Sequence, residues 1–109
     1  MSIEDPEAID AIGVEVGSGK VVLTLADELD WTRESEHEFK LQAKLNKYLA
    51  FIESGEILSS YPQASGRSCA IDLVLRFEPS ARGQTFLDRV RDALSETAIE
   101  LRVRGVPDP

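Results

Sequence analysis

Twenty-four consecutive residues, Thr32 to Gly55, contain no proline and no glycine before the last position. Leu41, Leu45, Tyr48, Leu49 and Ile52 recur in them at three- and four-residue intervals, which sets one stripe along a 3.6-period surface. Leu, Ala, Lys, Glu and Gln fill most other positions and favour the helical state. The spacing predicts one long amphipathic helix that must bury its stripe against something else. Lys40, Lys44, Lys47 and Glu53 fall mostly off the stripe and are expected to face water. Thr32 is one candidate N-cap, and Ser35-Glu36-His37-Glu38 has the form of a capping box. Gly55 supplies the residue that commonly closes a helix in the left-handed conformation.

The surface for that stripe is written as alternation. Ile12, Val14 and Val16 share one strand face, as do Val21, Leu23 and Leu25, with the short Gly17-Ser18-Gly19 loop between them. The chain is thus expected to open with an antiparallel hairpin. Ala70 to Glu78 alternates with Ile71, Leu73, Leu75 and Phe77 on one side, and Pro79 ends it. Leu87, Val90 and Leu94 mark a second helix over 82–96, and Ile99, Leu101 and Val103 a last strand. Residues 56–68 read as a long connector that either pairs as an irregular edge or serves a function. The expected architecture is α+β: a two-layer sandwich, a roughly four-stranded sheet with two helices on one face, in the order β-β-α-β-α-β. Residues 1–109 are expected to form a single domain, with 1–10 a loose acidic arm and 105–109 a tail.

Charge narrows the partners. The chain carries a net −8, which argues against nucleic acid or an anionic membrane as main partner. Residues 1–38 hold eleven acids against Lys20 and Arg33, a balance of −9, while residues 39–109 balance at +1. No apolar run has the length of a membrane span, and the acidic N-terminus lacks the pattern of a signal peptide. The lone Cys69 reads as a small buried hydrophobe in a cytoplasmic protein.

The one patch where chemistry can be sought lies between a strand end and a helix start: Asp27, Glu28, Asp30, Trp31, Glu34 and His37. Trp31 and His37 are the only residues of their kinds. An indole before a Thr32 cap would staple to Glu36, which offers no apolar surface, so Trp31 is read as packing against the sheet edge ahead of serving as a ligand platform. His37 with Asp27, Asp30 and Glu34 has the donor types of a divalent-metal site, yet none of the spacings that define one. It is read as a surface ion-pair partner, with no metal and no cofactor. No catalytic residues are assigned: the serines of the 56–68 connector lie in no nucleophile motif, and Gly17-Ser18-Gly19-Lys20 joins two strands instead of opening a helix.

Leu23 to Trp31, L-T-L-A-D-E-L-D-W, together with Lys44 to Glu56, K-L-N-K-Y-L-A-F-I-E-S-G-E, resembles a family of small uncharacterised bacterial proteins known only as a domain of unknown function. The resemblance covers most of the chain. It implies a bacterial cytosolic origin and a complete one-domain protein, and it implies no activity and no residue roles.

Two functions of different class are compatible with these residues. One is a non-enzymatic interaction protein, a homodimer or an antitoxin- or immunity-like protein with a basic partner. Its contact surface would be the acidic first third or the open sheet face. The other is a small-molecule-binding or metal-dependent enzyme using Asp27, Asp30, Trp31 and His37. A flat acidic face would favour the first, and a cleft holding a perturbed carboxylate beside Trp31 the second.

Overall fold

The computed structural model describes residues 9–105. Its strands are β1 (Ala11–Val14), β2 (Val21–Asp27), β3 (Cys69–Leu75) and β4 (Ile99–Gly105); its helices are α1 (Glu34–Glu53), the short α2 (Glu56–Ser60) and α3 (Ala81–Leu94), with a 3-10 turn at Pro62–Ala64. The four strands form one mixed sheet in the order β1-β2-β3-β4. β1 runs antiparallel to β2, while β2–β3 and β3–β4 are parallel. Both parallel crossovers step the same way across the sheet, so helices of the same crossover hand fall on the same face. The architecture is the α+β two-layer arrangement that the alternation predicts.

The core sits between the layers. Val21, Leu23 and Leu25 on β2, and Ile71 and Leu73 on β3, are fully buried against Leu41, Leu45 and Tyr48 of α1 and Leu87 of α3. The opposite face is half-buried and mixed, with Val22, Thr24 and Val74 beside Asp72 and Arg102. Its charges pair within the chain. Arg102 holds Glu15 through two bonds of 2.7 and 3.0 Å and meets Glu100 at 2.9 Å; Lys20 reaches Glu100 at 3.2 Å and Arg104 reaches Asp72 at 3.0 Å.

Several expectations need correction. The helix starts at Glu34 with Arg33 at the N-cap position and no side-chain cap bond, because the Thr32 hydroxyl is held by Asp30 and Ser35 already lies in the first turn. Gly55 does take the left-handed conformation, φ 84°, just past the helix end. Residues 56–68 form no edge strand; they fold into α2 and the 3-10 turn, which bury Ile57 and Ala64. Val16 lies in the hairpin turn and is 98% exposed. Phe77 lies past the end of β3 and is 43% exposed, so alternation overran both strands. Gly105 belongs to β4 and not to a tail, and Asp10 is held in place by its side chain. The remaining parts of the expected arm and tail, 1–8 and 106–109, lie outside the described residues.

The largest correction is Lys44, which is fully buried. β1 begins at Ala11, opposite Thr24, so β2 runs on beyond its neighbour. The Ala26 amide there donates to Asp10 Oδ2 at 2.8 Å, and Lys44 Nζ meets Asp10 Oδ1 at 2.8 Å. The Tyr48 hydroxyl donates to the Thr24 carbonyl at 2.6 Å and accepts from the Asp10 amide at 2.9 Å. Buried polar groups need such partners, and here the middle of α1 supplies them for a strand end. Burial raises the Tyr48 phenol well above its ordinary range, with the nearby Asp10 carboxylate adding to the effect.

Candidate functional site

Asp27 is the last residue of β2 and shares the face of Val21, Leu23 and Leu25, so it points into the helix layer. His37 stands in the first turns of α1, on the stripe that continues through Leu41, Lys44, Leu45 and Tyr48. The two meet with His37 Nε2 2.5 Å from Asp27 Oδ2, and both side chains are essentially without solvent contact. The other ring nitrogen, Nδ1, lies 2.9 Å from the Asp30 carbonyl. A carbonyl only accepts, so Nδ1 is the donor there, and the remaining contact between Nε2 and the carboxylate carries one proton. Asp27 Oδ1 accepts from the Leu29 amide at 3.1 Å. His37 is therefore a buried structural partner, not a surface one.

Trp31 lies over this pair. Its indole stacks on the His37 ring with centroids 3.7 Å apart and planes 23° apart, and Nε1 donates to the Phe77 carbonyl at 3.4 Å. Its other neighbour is α3: a Cβ added at Gly83 would lie 2.7 Å from indole carbons. The missing side chain of Gly83 makes the room that Trp31 fills. Trp31 is 7% exposed, as core packing requires, and the apolar surface it finds is α3.

The other candidates divide. Asp30 is exposed, and its Oδ1 accepts from the Thr32 hydroxyl at 2.6 Å and the Thr32 amide at 3.1 Å. Those bonds hold its carboxyl below the usual range, which makes it a weaker base. Glu34 turns away toward α3, where it accepts from the Ser80 hydroxyl. Ser80 Oγ in turn caps α3 by accepting from the Gly83 amide at 3.1 Å. The positive end of α3 thus has a carboxylate of its own chain beside it. The structure brings Asp27, Asp30, Trp31 and His37 together and places Glu34 in the adjoining α1–α3 contact. Gly83, Ser80 and Phe77 complete the corner, and nothing in the spacing around Trp31 pointed to them.

A cleft of about 490 Å³ opens at the corner, lined by Glu28, Asp30, Arg33, Glu36, His37 and Phe77 among others. It lies at the carboxyl ends of the parallel strands, where ligands commonly bind open sheets. Its charges are mixed: Glu36 meets Lys40 at 3.2 Å and Arg33 at 3.5 Å. Among the described residues the acids of the first third do not form one face, since Asp10 and Asp27 point inward and Glu15 joins the far side of the sheet. Among the described residues no group of three or more His, Cys, Asp or Glu side chains is arranged to hold a metal ion. No buried side-chain nitrogen or oxygen there lacks a hydrogen-bond partner. No helix among them is long and apolar enough to cross a membrane.

Residues 1–106 match a protein family described as a family of unknown function (DUF6572), and the chain belongs to that family. No curated protein and no solved structure matches the chain.

Proposed function

We propose that this member of an uncharacterised family is a single-domain, cytoplasmic, bacterial interaction protein that works without catalysis, as a homodimer. The observation that carries the reading is the state of the candidate site. Asp27 and His37 are buried and bound to each other, Trp31 is wedged between His37 and Gly83, and Asp30 is held by Thr32. An acid, base or nucleophile must reach a reacting atom. Asp27, Trp31 and His37 instead join β2, α1 and α3, while the exposed Asp30 is held by Thr32 as a weaker base, and function is assigned to the surface.

The test is capture. A tagged copy co-expressed with an untagged copy in the native cell should retain the untagged one in comparable amount. Failure to retain it contradicts the homodimer.

A second reading, an antitoxin- or immunity-like protein for a basic partner, draws support from Glu28 and Asp30, which stand exposed at the cleft with Asp30 biased toward its charged form. Charge complementarity there would speed association. Mass spectrometry of the same eluate distinguishes the two, since a stoichiometric basic protein lost in Glu28→Lys supports the second.

A further inference from the structure

Among the described residues β4 pairs only with β3, so its outer side is a sheet edge. That edge is seven residues long, whereas β1 at the opposite edge has four. A long strand edge is a template for another strand, because its outward amides and carbonyls have no ladder partner. Resting on the homodimer reading, the geometry points to β4 as the interface: two copies join antiparallel along β4, about a two-fold axis through Leu101, into one continuous eight-stranded sheet.

The register follows from the side chains. In an antiparallel pair, directly opposed residues lie on the same face. Centred on Leu101, Glu100 stands opposite Arg102 of the second copy, and the two-fold axis repeats the pair. On the helix face Ile99 stands opposite Val103 and Leu101 opposite itself. A centre at Arg102 would set that guanidinium against its own copy, and a centre at Glu100 would oppose two carboxylates. A centre at Val103 would set Arg102 against Arg104. Shifting by a half-step would set apolar residues against charged ones. Only the Leu101 register matches both faces.

The atoms needed are in place. The bonds to Glu100 from Lys20 and Arg102 both end on Oε1, which leaves Oε2 for the second copy. Arg102 donates one N–H each from Nε, Nη1 and Nη2, and a guanidinium has five. Val103 is only half-buried while Ile99 and Leu101 are buried, so the uncovered end of the apolar row is the end that Ile99 of the second copy would meet. A two-fold interface of this kind is self-complementary and closes without open-ended growth.

The test is register-specific cross-linking. In a Cys69→Ala background, Glu100→Cys protein is mixed with Arg102→Cys protein under mild oxidation. The expected result is a band at about 24 kDa, twice the 12.0 kDa chain, in the mixture and far less of it in either variant alone. Equal cross-linking in one variant alone overturns the register. If wild type has the dimer mass but the mixture does not cross-link, and the mass falls in Val74→Glu, the dimer stands and contact passes to the open sheet face. A wild-type mass of 12.0 kDa overturns both readings. Hydrogen exchange on the unmodified chain gives an independent check: amides of Ile99–Gly105 should exchange more slowly as concentration rises, and unchanged exchange there overturns the pairing.

Discussion

His37 meets an acceptor at each ring nitrogen and an aromatic face on its flank, so its replacement or that of its partner has a defined cost. Asp27→Ala leaves Nε2 buried without a partner. It should destabilise the fold by about 1–3 kcal/mol, the cost of leaving a buried polar atom without its partner. Urea unfolding followed by the emission of Trp31, the only tryptophan, measures it; a loss under about 1 kcal/mol would make the pair dispensable. Glu15 gives the pH prediction. The hydrogen bonds from Arg102 and then Ser18 lower its carboxyl from 4.5 to about 2. A depressed folded value means that the contribution is complete above the ordinary value of 4.5 and is lost as pH falls from there toward 2. Carboxyl-carbon titration by NMR should find Glu15 titrating near 2, and in Arg102→Ala shifted back toward 4.5. A midpoint unchanged by the substitution would assign the shift elsewhere.

At the scale of elements, α1 is the keystone, and its buried stripe interleaves His37, Lys44 and Tyr48 with the apolar Leu41 and Leu45. Leu45 is fully buried between Lys44–Asp10 at one side and the His37 corner a turn or two away. Leu45→Ala should cost about 2–5 kcal/mol in chemical denaturation, and a loss under half a kcal/mol would mean the stripe does not face the core. That stripe was legible because leucines at helical spacing have few other uses, and the strands were legible because Leu23, Leu25, Ile71 and Leu73 alternate without interruption. What hydropathy could not show is Lys44 within the stripe, since its partner Asp10 lies 34 residues away and only the offset of β1 against β2 brings it in. The five-residue α2 is too short for periodicity to register. In the patch, the residues were readable as a group but not their orientation: Asp27 points inward because of its parity on β2, and Trp31 finds Gly83 only through the α3 crossover.

For the whole molecule, the two faces of the sheet have different duties. The helix face holds the core and both buried polar anchors, while the open face carries ion pairs that already close within one chain. Asp72 and Glu15 are already paired within one chain, whereas Glu100 Oε2 and two Arg102 N–H groups remain at the β4 edge, which moves attention there. Net charge opposes self-association at −8 per chain, so dimerisation should strengthen with salt to the extent that long-range repulsion is screened. The most direct measurement is light scattering behind a sizing column, at micromolar concentration and near-physiological salt. The account predicts a mass of about 24 kDa, two chains of 12.0 kDa; a mass of 12.0 kDa at every concentration tested contradicts it.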